Sequence, residues 1–436
     1  MHNTQERDHK HIAGPWGWIP SLYFAEALPY VAVMAISVTM YKRLNISNTD
    51  IAFYTSWLYL PWVIKPFWSP FVDLIRTKRW WILTMQLLIG ASLGGVAFTI
   101  PTSHFFQSSL ACFWLMAFSS ATHDIAADGY YMLELDSHEQ SLYVGIRSTF
   151  YRIATIAGQG GLLALAGLLE TYTRRITYSW SLTFYFISAV FIALTLYHSV
   201  FLPRATRDVP SEKVAIGRLL RDFAETVVSF FRKPQCLTAL LFMLLYRLPE
   251  ALLVKMSGLF LIDSVANGGL GLSPQEQGMA QGTIGIIGLT LGGILGGIVA
   301  ARDGLKKWLW PMVWSLTLPD LVYVLLSYYQ TQNFLLISSC FFIEQFGYGF
   351  GFTAYMLFLL YYARGARQTT HYALCTGFMA LSMMLPGMVA GWLQEQVGYF
   401  HFFLIVMSCC LVTIGVTTLL KIDPDFGKKG NSLKKR

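Results

Sequence analysis

The sequence predicts an all-α membrane protein of twelve transmembrane helices in two six-helix halves, with both termini cytoplasmic. Composition, the length of the apolar blocks and the placement of basic residues carry that prediction. The 436 residues are 55% hydrophobic and 13% charged, with a mean hydropathy of +0.49, whereas soluble domains carry about a quarter charged residues. A water-soluble fold of this length would lack the polar surface to cover itself. The apolar residues gather in blocks of about 20 or more, the length that spans a ~30 Å hydrocarbon core. In lipid every backbone N–H and C=O must be paired internally, which leaves only helices or a closed barrel. Barrel strands would be about ten residues long and alternate apolar with polar; these blocks do neither.

The expected spans are 17–41, 51–71, 80–100, 108–133, 143–169, 178–202, 236–263, 277–301, 308–330, 334–362, 370–393 and 398–420. They divide the chain into an N-terminal tail (1–16), a first bundle (17–202), a linker (203–235), a second bundle (236–421) and a basic tail (422–436). The first fifteen residues show no signal-peptide core or small-residue cleavage site, so they read as an uncleaved tail. With the N-terminus inside, 24 of the 32 Lys and Arg residues fall in inside segments, Arg147 being counted with the turn before the fifth span. Only Lys42, Arg43, Arg174 and Arg175 fall outside. That asymmetry places both termini in the cytoplasm. It also explains the net charge of +8 without nucleic acid, because the charges face an anionic leaflet.

The two halves echo each other. Span 2 runs into Ser69-Pro70-Phe71-Val72-Asp73 followed by Arg76, Lys78, Arg79, Trp80 and Trp81. Span 8 runs into Ala300-Ala301-Arg302-Asp303 followed by Lys306, Lys307, Trp308 and Trp310. Internal repeats of this kind mark transporter folds whose substrate site lies between the repeats. Asp73, Arg76 and Arg79 are accordingly the candidate gating-loop residues.

Charges inside spans are the informative feature, since each costs about 2.5–3.5 kcal/mol at a helix centre and should face a cavity or another charge. They are Glu26, Lys65, Asp124, Asp128, Arg152, Arg247, Glu250, Lys255 and Glu344. At 1.5 Å per residue, Glu26, Lys65, Asp124 and Arg152 all lie roughly 10–14 Å from the inner ends of their helices. Two acids and two bases at one level predict a charge cluster lining the inner half of a central cavity. Asp124 and Asp128 are four apart and share a helix face; Arg152 is the expected cation beside them. On span 7, Pro249 interrupts the helix between Arg247 and Glu250. Arg247, Lys255, Lys65 and Arg152 would make the cavity attract anions, while Glu250, Glu344 and Gln345 would supply hydrogen bonds to a ligand. A static packing role is the rival for each. His123, about 100° around the helix from Asp124, reads as a packing or lipid-interface residue rather than a relay. Gly288, Gly292 and Gly296 on span 8 give a small-residue face for close helix approach and modestly favour a moving interface.

The six cysteines lie in or beside apolar blocks without metal-ligand spacing and read as packing residues. No GxSxG, HExxH, Walker A or zinc-type CxxC is present, so neither an enzyme nor an ATP-driven pump is predicted, and no cofactor is called for.

A series of motifs resembles the major facilitator superfamily and, within it, the AmpG-type muropeptide permeases. KPFWSPFVD (Lys65 to Asp73) is similar to that family's K-F-L-W-S-P-x-x-D, and SSATHDIAADGYY (Ser119 to Tyr131) to S-A-S-Q-D-I-x-x-D-A. Tyr151-Arg152-Ile153 is similar to Y-R-L, and Tyr246-Arg247-Leu248-Pro249-Glu250-Ala251 to Y-K-L-G-D-A. FFIEQFGYGFG (Phe341 to Gly351), HYALCTGF and GMVAGWLQEQVGY (Gly387 to Tyr399) continue the series toward the C-terminus. Departures are His123 for Gln, Arg247 for Lys and Glu250 for Asp. The resemblance implies proton symport of peptidoglycan-derived anhydro-muropeptides across the inner membrane into the cytoplasm, by a monomer. Asp124 and Asp128 would be the acidic pair, with Arg152 as partner. Carriers of siderophores or acyl-coenzyme A share similar patterns and form the alternative. A membrane-embedded enzyme or sensor is the third reading.

Overall fold

The computed structural model describes residues 14–135, 137–204, 216–364, 368–424 and 426. Most of the N-terminal tail, the middle of the linker and most of the basic C-terminal tail lie outside them, as does the side chain of Asp73.

Every regular element among the described residues is helical. Before the linker run α1 (Pro15–Arg43), α2 (48–75), α3 (Lys78–Thr99), α4 (Phe105–Glu134), α5 (137–173) and α6 (Ile176–Phe201). The linker contributes α7 (Ile216–Phe231). After it come α8 (Cys236–Ile262), α9 (Pro274–Asp303), α10 (Leu305–Tyr329), α11 (Phe334–Ala363) and α12 (Gln368–Thr418). Nine segments among the described residues are long and apolar enough to cross a bilayer. α2 and α4 are not among the nine; they carry Lys65 and the pair Asp124 and Asp128.

Local chemistry sets the helix ends and breaks. Ser47 and Thr77 cap α2 and α3 by accepting from Asp50 N and Trp80 N, and Ser273 with Glu276 forms a capping box on α9. α8 is broken as expected: Arg247 is non-helical (φ −101°, ψ 16°), just before Pro249. Pro386, by contrast, sits inside α12 without ending it. The turn there falls at Gly398, whose φ of 75° belongs to the left-handed region glycine tolerates. π-helical turns interrupt α1, α5 and α9 at Ala32–Ile36, Ala157–Leu162 and Gly278–Gly285.

The core has three large parts. One continuous apolar cluster joins helices before and after the linker, running from Leu28, Val31 and Trp180 to Leu259, Tyr323 and Phe403. At the end of the molecule nearer the linker the core is divided. Trp18, Tyr130 and Leu202 belong to one cluster and Phe230, Met312 and Tyr355 to another. The buried core is thus continuous at one end and divided at the other.

A polar network reinforces the continuous end. Lys42 Nζ lies 2.8 Å from Asp263 Oδ2 and donates to Asn48 Oδ1 at 2.8 Å. Asn48 Nδ2 donates to Gln394 Oε1 at 2.7 Å and to the Tyr399 hydroxyl at 3.2 Å, and that hydroxyl donates to Asp263. Burial pushes the Asp263 carboxyl up, but the Lys42 ammonium, the Asn267 amide and the Ser264 N–H outweigh it and leave it below its ordinary value.

The glycine face of α9 serves a different purpose from the moving interface expected. A Cβ on Gly288 would stand 2.6 Å from the Phe342 carbonyl oxygen, and one on Gly292 would overlap that of Phe346. Gly288, Gly292 and Gly296 therefore seat α9 on α11, both after the linker. Contacts across the linker divide use other glycines: Gly282 against Gln159, and Gly391 against the Asn48 carbonyl. Gly292→Val should force α9 from α11 at a cost of about 1–3 kcal/mol and lower the melting temperature of the detergent-purified protein by several degrees. An unchanged melting temperature would refute this backbone contact.

Candidate functional site

Where the core divides, the helices enclose a cavity of about 700 Å³. A second hollow of about 390 Å³ adjoins it and shares Glu26, Tyr30, Tyr151, Arg152 and Leu289 with it. Glu26 from α1, Lys65 from α2, Asp124 from α4 and Arg152 from α5 all stand on the wall of the larger cavity. The level inferred by counting residues from the helix ends thus brings four side chains from four helices to one hollow.

Their pairing differs from expectation. Lys65 Nζ, not Arg152, makes the ion pair with Asp124 Oδ2. Asp128 is held by Arg147, whose Nη2 lies 2.9 Å from Oδ1, and accepts from the Tyr23 hydroxyl at 3.1 Å. Arg147 in turn lies over the Tyr23 ring at 4.4 Å and the Tyr131 ring at 5.2 Å. Arg152 reaches across to α9, donating to Thr290 Oγ1 at 3.4 Å. The third acid, Glu26, lies beside Asp124, and its Oε2 is buried with no hydrogen-bond partner among the described residues. Three carboxyl groups therefore share one region with two paired cations, Lys65 and Arg147, and a third cation, Arg152, within reach of the same hollow. A lone buried carboxylate oxygen is costly unless protonated or solvated.

After the linker, Arg247 alone of the expected binding residues reaches the cavity wall. Its guanidinium lies over the rings of Phe352 (4.7 Å), Tyr348 (5.6 Å) and Tyr355 (5.8 Å), and its Nη2 donates to the Tyr348 hydroxyl. Such cation–π contacts are worth about 2 kcal/mol when desolvated. The remaining four expected binding residues do not line it. Lys255 is buried between α8 and α2, donating to Thr55 Oγ1 at 3.1 Å and lying over the Tyr59 ring. Glu250 and Glu344 instead meet Asp320: the three buried acids bring carboxylate oxygens within 4.8 Å of one another. Glu344 accepts from the Tyr323 hydroxyl at 3.1 Å and from Gln345 Nε2 at 2.9 Å, so Gln345 is spent on its neighbour.

Arg79 donates to the carbonyls of Ser199 and Leu202, closing the end of α6, and Arg76 lies 5.8 Å from the Trp80 ring. His123 is buried at 1% exposure rather than lipid-facing. Its Nε2 lies 3.0 Å from Gln86 Nε2, and Gln86 Oε1 continues to His198 at 2.9 Å and thence to Ser21. Sequence reasoning missed Asp320, although an acid in an apolar span was signal enough, and treated Arg147 as a loop charge.

If Lys65 and Asp124 pair in a partly desolvated wall, Asp124→Asn strands the ammonium and should cost roughly 2–3 kcal/mol of stability. Adding Lys65→Met should restore much of that loss in thermal unfolding. Strictly additive losses would mean that the two side chains do not interact.

A model of the Major Facilitator Superfamily matches residues 21–254. The chain is 26% identical over 412 residues to the putative transporter AmpG 4 of Rickettsia conorii, covering 92% of this chain and 94% of that one. It is 25% identical over 402 residues to the anhydromuropeptide permease of Escherichia coli K12, covering 89% and 76%. Among solved structures, a D-xylose-proton symporter superposes with a TM-score of 0.71 at 12% identity, over 95% of this chain and 99% of that one. The nucleoside transporter NupG does so at 0.64 and 14%, over 93% and 98%. At such identities these structures speak for the fold. The helices, the enclosed polar cavity and the matching family model agree: the chain is a multi-pass membrane protein and belongs to the Major Facilitator Superfamily.

Proposed function

We propose that this protein is a proton-coupled importer of peptidoglycan-derived anhydro-muropeptides, working by alternating access in the inner membrane. The observation that carries the reading is the wall of the cavity between the helices before and after the linker. It combines acids (Glu26 and Asp124) with cations (Lys65, Arg152 and Arg247) and the aromatic faces of Tyr30, Tyr59, Trp62 and Tyr348. A muropeptide needs those three chemistries at once: flat apolar faces for sugar rings, cations for peptide carboxylates, and a proton-binding group to drive uptake. The similarity to an anhydromuropeptide permease over 89% of the chain supports this cargo over other bulky anions.

The topology follows the same reading. α12 turns at Gly398 into two crossings, and α2 and α4 join the nine apolar segments, giving twelve crossings in two six-helix halves. Basic loops put the linker and both termini in the cytoplasm. The continuous end with its Lys42–Asp263 pair then faces the periplasm, and the divided end opens the cavity inward. The protein works as a monomer without a cofactor.

In this mechanism substrate and proton enter while the outer end is open, and the Lys42–Asp263 network reforms behind them. Lys65 shifts between Asp124 and the ligand, and Arg147 stays with Asp128. Glu26 or Asp124 holds the proton until the cavity meets the cytoplasm. Uptake of a labelled anhydro-disaccharide tripeptide into vesicles should collapse when the pH gradient is dissipated. Asp124→Asn should abolish gradient-driven accumulation, a loss of about 100-fold or more if the carboxyl carries the coupling. Wild-type accumulation in that variant would remove Asp124 from the coupling machinery, and indifference to the gradient would remove proton coupling itself.

A further inference from the structure

The three cations on the cavity wall are not equivalent. Lys65 is already neutralised by Asp124. Arg152 spends a donor on Thr290, at the long end of hydrogen-bond distance. Neither Arg152 nor Arg247 forms an ion pair among the described residues, but Arg152 is only half-buried whereas Arg247 is buried, at 7% exposure. One donor goes to the Tyr348 hydroxyl, and its Nε is buried without any acceptor. Aromatic faces of Phe352, Tyr348 and Tyr355 stabilise the cation without neutralising it.

A guanidinium presents a planar fork of five donors that matches a carboxylate, and it cannot shed its charge. Glu250, three residues on, acts on it only through space, being gathered with Asp320 and Glu344 and making no ion pair with it. Burying a guanidinium without a contacting anion is costly, so an anion from outside the chain would complete it. Position supports the same conclusion. Of the three charged residues on α8, Glu250 and Lys255 are turned into packing, and only Arg247, at the non-helical turn before Pro249, meets the cavity.

We propose that Arg247 is the carboxylate anchor of the cavity, its fork holding a free carboxylate of the muropeptide's peptide stem while the sugar rings lie against the aromatic wall. The assignment rests on the transport reading above and adds the group that selects peptide-bearing, anionic cargo. Lys65 stays shared between Asp124 and the ligand, as in the mechanism above, and Arg152 keeps its contact with α9.

Binding of two probes to the purified full-length protein tests it: an anhydro-disaccharide tripeptide with free carboxylates, and the same compound with its carboxylates amidated. The wild type should bind the free acid about tenfold more tightly or better, as expected for a charge-assisted bidentate contact. Arg247→Gln should bring the two probes to equal affinity, and Arg247→Lys should keep part of the preference. Tyr348→Phe, which retains the guanidinium, should keep the preference and shows whether any change in this wall abolishes it. Thermal unfolding of each variant without ligand identifies loss of fold. A wild type that binds both probes equally, or an Arg247→Gln protein that still prefers the free acid, overturns the anchor and leaves the muropeptide reading standing. A wild type that binds neither overturns both.

Discussion

The constraint on which the rest depends is that ionisable side chains in lipid-spanning helices must be paired, solvated or neutral. Lys65 and Asp124 satisfy it by pairing with each other and Asp128 by Arg147 and Tyr23, whereas Arg247 has only aromatic faces and the Tyr348 hydroxyl and satisfies it in part. Each solution pulls helices from different parts of the chain to one hollow. α1, α2, α4 and α5 are drawn together by the acids and their cations, and α8 and α11 by the guanidinium and Tyr348. The cavity is thus a product of electrostatics as much as of packing. The same pairs that hold its wall are the ones a ligand or proton would rearrange.

The packing around this centre is unequal at the two ends. At one, a single apolar cluster and the Lys42, Asn48, Asp263 and Tyr399 network bind helices from both sides of the linker. At the other, two separate clusters meet the linker end without merging. Backbone-close glycine contacts divide in the same way. Gly292 locks α9 to α11, whereas Gly282 and Gly391 lie at crossings between the two sets of helices. Units joined at one end by an apolar contact with a polar latch and divided at the other are suited to rocking, because packed interfaces have discrete states.

Much of the fold was legible in the sequence, because a bilayer imposes a length and an apolar composition on every crossing. That these charges share one hollow was legible too: Glu26, Lys65, Asp124 and Arg152, grouped by counting residues from helix ends, all line one cavity wall. Partners were not legible, since which cation meets which acid depends on helix rotation, and a span fixes only height. Arg152 therefore points to Thr290, and Arg147, near a helix end, proves to be the partner of Asp128. Rotation also explains why Glu250, Lys255, Glu344 and Gln345 turn away from the cavity into buried contacts of their own. The glycine spacing on α9 gave close approach but could not name the neighbouring helix.

The proposed coupling is a proton held by a carboxyl in the hollow and carried in with the cargo. Its most direct test is the pH of a lightly buffered suspension of vesicles containing the purified protein, recorded as anhydro-disaccharide tripeptide is added outside with no gradient imposed. The account predicts that the outer medium turns alkaline as protons follow the compound inward, and that empty vesicles show no such change. Entry of the labelled compound with a flat pH trace would contradict it.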